Sequence, residues 1–176
     1  MPEDVSVYPP RKKKAPVWVW LLLGCGGLAV LGAAGVVALV MYAVGNTRIQ
    51  ARKAMCRSNL RQVGLAIHMY ADDHDEKFPP DLQVLMPDYI DNPRVLKCPG
   101  RPGATYTYLP GRKAVTPGDV VIAYEDPDNH SGRGFNVLYA DAHVETWPNR
   151  RLGEFQDLVA RQNEAIRKAA EARKQP

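Results

Sequence analysis

The stretch VWVWLLLGCGGLAVLGAAGVVALVMYAV, residues 17–44, decides the fold. It holds 28 residues without one charge. A helix crosses a bilayer core with about 20 apolar residues, so this run spans with residues to spare and makes the chain a single-pass membrane protein. No proline interrupts residues 17–78, so the helix is expected to continue beyond the membrane. Past the run, Ile49, Cys56, Leu60, Val63, Ile67 and Tyr70 recur at helical spacings, with Arg48, Arg52, Arg57, Arg61 and Gln62 between them. That pattern predicts an amphipathic second half whose apolar stripe faces a partner layer.

About 130 residues follow Val44, enough for one small domain with its own core. The formal charge is +4, but the cations are dispersed, in Arg11 to Lys14, Arg48 to Arg61 and Arg150 to Lys174. Clusters beside a membrane segment suit anionic headgroups better than nucleic acid, and no nucleic-acid partner is expected. The compact Arg11-Lys12-Lys13-Lys14 block favours the N-terminus inside and the head outside. Cys25 lies within the apolar run, whereas Cys56 and Cys98 lie in the head and are candidates for a disulfide in an oxidising compartment.

The period changes along the head. Asp72-Asp73-His74-Asp75 and Phe78-Pro79-Pro80 end the long helix, and residues 92–103 form a loop rich in proline and glycine. Thr105 to Leu109, Val120 to Glu125, Phe135 to Ala140 and His143 to Trp147 are short runs of β type, with a tight hairpin turn at Asp141-Ala142. Arg151 to Lys174 returns to helical spacing, with Leu152, Phe155, Leu158, Val159 and Ile166 on one side. The expected class is α+β: a long N-terminal helix packed on a small antiparallel sheet, with a C-terminal helix. The expected divisions are a disordered basic tail at 1–16, a transmembrane helix at 17–44, a head at 45–149 and an amphipathic charged helix at 150–176.

Several blocks carry a family resemblance: Cys56-Arg-Ser-Asn-Leu-Arg-Gln-Val-Gly-Leu-Ala-Ile-His-Met-Tyr-Ala-Asp-Asp, Lys77-Phe78-Pro79-Pro80, Val95-Leu96-Lys97-Cys98-Pro99, and Asn136-Val-Leu-Tyr-Ala-Asp-Ala-His-Val-Glu145. In this order they resemble the type IV pilin-like and pseudopilin-like proteins of planctomycetes and related bacteria. The resemblance implies a single-pass protein of the bacterial inner membrane with a periplasmic or extracytoplasmic head. It also implies structural or secretion-related work, with envelope proteins or copies of the chain itself as partners; the layout of one long helix and a sheet head, without a catalytic constellation, sets the expectation of no enzymatic activity.

Two departures stand out. Gly24, Gly26 and Gly27 are not followed by Phe or by any Glu within the run, so the prepilin peptidase site on which the family's filament assembly rests is missing. The family's His, nine residues, Asp-Gly becomes His130, ten residues, Asp141-Ala142 here, in a hairpin motif that also includes Asn136 and His143. Alanine makes a positive φ costly, so another turn type or a bulge is expected.

Glu125, Asp126, Asp128 and Asn129, with Asp141 nearby, form the best cluster of oxygen ligands, in a region where major pseudopilins of type II secretion carry a calcium-stabilised loop. An acidic turn capping its own backbone around Pro127 explains the same residues and is preferred. No cofactor is expected, calcium being the candidate if there is one. His68, His74, His130 and His143 follow no zinc-ligand spacing, and Ser58, Ser131 and Cys98 have no paired base. The alternative to a structural role is a tethered head that depends on calcium or zinc for binding or catalysis.

Overall fold

The computed structural model describes residues 17–172, with side chains from Val30 onward. The tail expected at 1–16 lies outside the described residues. The chain divides into two compact units, Met1–Gly45 and Asn46–Pro176. Helix α1 is Val17–Asp73. In the first unit Val30, Leu31, Leu39, Met41 and Tyr42 are each about two-thirds exposed or more. The described residues hold one helix, near the N-terminus, long and apolar enough to cross a membrane.

The second unit has an α+β arrangement. After α1 leaves its axis through Asp75 and Glu76, both at positive φ, come 3-10 turns at Leu82–Leu85 and Pro93–Leu96. The strands are β1 (Tyr106–Tyr108), β2 (Val121–Glu125), β3 (Phe135–Tyr139) and β4 (Val144–Trp147), and helix α2 (Leu152–Ala172) closes the head. The sheet is antiparallel in the order β1-β2-β3-β4.

Side chains alternate across a strand, and β3 shows what that does here. Leu138 joins Cys56, Leu60, Val63 and Ile67 of α1 in one apolar core. Phe135, Val137 and Tyr139 join Trp147 and Phe155 in a second core, flanked by Leu152, Leu158 and Val159 of α2. The sheet is therefore covered on both faces, which is why β3 is buried throughout.

β2 breaks the alternation. Val121 pairs with Tyr139, but Ala123 pairs with Leu138, so Ile122 is an extra residue in a β-bulge. Val121 faces α2, whereas Ile122 and Ala123 both enter the core against α1. The shift of one residue turns every later side chain over. Tyr124 packs with the α2 side, and Glu125 is brought to the α1 side, beside Asn136.

The hairpin between β3 and β4 differs from a two-residue turn at Asp141-Ala142. Ala142 N–H donates to Tyr139 O (2.9 Å), Tyr139 N–H donates to His143 O (3.0 Å), and Ala142 has φ 64°. The connection is three residues, Ala140 to Ala142, ending in a left-handed residue, a pattern that tolerates alanine at a cost. Gly64 makes room for it, since a Cβ there would lie 3.0 Å from the Ala142 methyl.

Candidate functional site

Polar groups gather at one end of the core between α1 and the sheet. α1 contributes Lys53 and Cys56, three residues apart and so on neighbouring faces. The loop after the Pro93–Leu96 turn brings Cys98, which forms a disulfide with Cys56. The end of β2 supplies Glu125, and a 3-10 turn at Pro127–His130 supplies His130. That turn starts because the Asp126 side chain accepts from Asp128 N–H (2.9 Å) and Pro127 presets the first φ.

Cys56, Cys98, Glu125 and His130 are at most 2% exposed. Asn136 holds Glu125 with two bonds: its backbone N–H donates to Oε2 and its Nδ2 donates to Oε1, both at 2.9 Å. Asn136 Nδ2 also donates to Lys53 O (3.1 Å), and Thr146 Oγ1 donates to Asn136 Oδ1 (2.7 Å), which fixes the orientation of the amide. His130 Nε2 lies 3.2 Å from Glu125 Oε2 and 3.5 Å from Cys98 Sγ. Gly100 lets the loop close over this ring, since a Cβ there would be 2.6 Å from Asn129 O and 2.8 Å from His130 Cε1.

Burial sets the protonation. It pushes the Glu125 carboxyl up to about 7, against the opposing pull of the Asn136 bonds and the Lys53 charge. Burial, then the charges of Lys53 and Arg52, lower His130. Both directions place the shared proton on Glu125, which donates it to a neutral imidazole. Burial also lowers Lys53, partly offset by Glu125, while its Nζ donates to Arg133 O at 2.6 Å.

The calcium-type residues are on separate duties. Glu125 is turned inward. Asp126 caps the 3-10 turn and pairs with Arg101 (3.1 Å) on the surface. Asp128 sits in the first turn of the same 3-10 segment. Asn129 is buried, with no partner for its side-chain amide among the described residues. Asp141 lies in the β3–β4 hairpin, where its carboxylate accepts from the His143 backbone (3.0 Å) and contacts the His143 ring. Among the described residues, the ligand atoms that converge are instead those of Cys56, Cys98, Glu125 and His130, all within 4.8 Å of one another. Of the remaining histidines, His68 Nε2–H donates to Ala140 O (2.8 Å) and His74 Nδ1–H to Tyr70 O (2.8 Å).

Sequence reading named all four converging residues but distributed them among a disulfide (Cys56, Cys98), an oxygen cluster (Glu125) and a hairpin motif (His130). Their separations, 42 residues between the cysteines for example, follow no ligand spacing. The usable signal was a glutamate ending a strand otherwise made of Val, Ile, Ala and Tyr.

Residues 46–99 match the model of a family described as a protein of unknown function (DUF1559). Over that segment, which carries Lys53, Cys56 and Cys98, the chain is similar to that family. No curated protein and no solved structure matches the chain.

Proposed function

We propose that this protein is a membrane-anchored, pilin-like component of a secretion or cell-envelope apparatus, in which the head does structural or protein-interaction work without catalysis. The head would lie on the periplasmic or extracytoplasmic side of a bacterial inner membrane. One observation carries the interaction role. On the head portion of α1, Met55, Leu65 and Met69 are each more than half exposed. At 100° per residue they fall within about 80° of helix face, away from the Cys56, Leu60 and Ile67 stripe that packs on the sheet. Exposed apolar side chains aligned along a helix suit packing against another helix. The apolar segment of the first unit supports the anchor, since the side chains of residues 30–44 are open to whatever surrounds them and lipid is the solvent that suits them. The missing prepilin peptidase site favours lateral association over a processed filament.

The test places a photo-cross-linking residue at Met69 in the full chain in bacterial membranes, with Asp91 as the control position. Position-dependent adducts of Met69 with a second copy or an envelope protein, in a fraction that resists alkaline extraction, are the expected result. Recovery in the soluble fraction, or equal adducts from both positions, would refute the proposal.

A second reading, a tethered head that uses a metal, is favoured by the convergence of Cys56, Cys98, Glu125 and His130.

A further inference from the structure

We propose that the buried cluster of Cys56, Cys98, Glu125 and His130 is a redox-gated zinc site: with the disulfide closed it binds no metal, and with the cysteines reduced it holds one Zn2+ through two sulfurs, one imidazole nitrogen and one carboxylate oxygen.

A tetrahedral zinc with bonds of about 2.0 to 2.3 Å sets its ligand atoms about 3.3 to 3.8 Å apart. His130 Nε2 already lies 3.5 Å from Cys98 Sγ and 3.2 Å from Glu125 Oε2, and all four ligand atoms lie within 4.8 Å of one another. Two edges of the tetrahedron therefore exist in the disulfide form. The main change required is separation of the two sulfurs once their bond is cut.

The surroundings of the cluster suit a bound cation as well. A metal-bound carboxylate is normally held by further hydrogen bonds, and both oxygens of Glu125 accept from Asn136, whose own amide is fixed by Lys53 O and Thr146. Two thiolates, one carboxylate and Zn2+ sum to one negative charge. Lys53 supplies the compensating cation, close enough to act on Glu125 electrostatically. Two sulfurs and one imidazole select zinc over calcium or magnesium, which take oxygen ligands. Full burial with four protein ligands describes a closed structural site, with no open position for a substrate.

A dithiol reductant attacks the Cys56–Cys98 bond; its two electrons and two protons pass to the cysteines as the S–S bond breaks, and it leaves as its own disulfide. Zn2+ then replaces three protons, those of the two thiols and the one Glu125 shares with His130, all of which go to solvent as two Zn–S bonds, one Zn–O bond and one Zn–N bond form; no electron moves in this second step.

The full chain in detergent micelles is divided into an oxidised sample and one reduced with a phosphine, and each is given Zn2+ alone or Co2+ alone and desalted without oxygen. The expected result is one zinc per reduced chain and none per oxidised chain, with a thiolate-to-cobalt charge-transfer band and tetrahedral cobalt bands in the reduced sample. Retention should survive Cys25→Ser and fall about tenfold or more in His130→Ala and Glu125→Gln. The cobalt spectrum of the wild-type chain decides the matter even where a variant fails to fold. Reduced wild type without retained zinc, equal retention by the oxidised chain, or cobalt bound without a thiolate band overturns the proposal.

Discussion

Glu125 Oε2 and His130 Nε2 face each other at 3.2 Å with both side chains sealed from solvent. Burial raises the acid and lowers the base, so the pair is a neutral one that holds a single proton on Glu125.

That proton count fixes a pH profile for the disulfide form. Glu125 rises from 4.5 to about 7, so its contribution is fully present below about 4.5 and lost as pH rises through about 7. His130 is depressed from 6.5, so its contribution is present above 6.5 and lost as pH falls through its lower folded value. Between the lowered folded value of His130 and about pH 6.5 the folded pair holds one proton on Glu125 and the unfolded chain holds one on His130, so the two effects cancel. Denaturant unfolding in micelles should show no contribution from the pair to the pH dependence across that window. In Glu125→Gln only the histidine remains, and stability should rise with pH by up to about 1.4 kcal/mol per unit relative to wild type. Parallel profiles for the two proteins would contradict the neutral pair.

Asn136 is the support of the cluster. Asn136→Ala removes bonds to Glu125, Lys53 O and Thr146 and leaves buried groups without partners. A loss of about 2 to 4 kcal/mol is expected from chemical denaturation. Asn136→Asp should cost more, because it turns a second acidic group toward Glu125. A loss under about 1 kcal/mol for both would mean that water replaces the amide.

The Cys56–Cys98 bridge closes a loop over a separation of 42 residues. Loop entropy gives it about 4 kcal/mol of stabilisation. The Cys56→Ser, Cys98→Ser double variant, compared with the oxidised chain by urea unfolding without added metal, should lose roughly that amount with an unchanged helix content. An unaltered midpoint would show that packing of α1 on the sheet holds the loop without the bond.

Ala142 occupies a left-handed conformation, φ 64°, that glycine adopts freely. Ala142→Gly should stabilise the head by up to about 1 kcal/mol, the relief of backbone strain exceeding the loss of a small buried methyl. Gly64→Ala should act the other way, since its Cβ would sit 2.9 Å from a Leu138 methyl and 3.0 Å from that of Ala142. Thermal melting of the two single variants checks both signs.

Local pattern was enough for some of this protein. An uncharged run, a helical stripe from Ile49 to Tyr70 and four β-type segments each report on neighbours in sequence, so they determined the α+β class, the long apolar N-terminal helix and the strands. The pairing of Cys56 with Cys98 was also within reach, because few thiols limit the choices. What local pattern could not determine is which distant groups share a cavity. The bulge at Ile122 turns Glu125 from one face of the sheet to the other, and no periodicity announces a single inserted residue, because its effect exists only relative to β3. The meeting of Glu125 with His130, Asn136 and the disulfide was decided by sheet register and by the closure of the loop at Gly100, contacts across sequence distances over which side-chain chemistry carries no signal until the chain has folded.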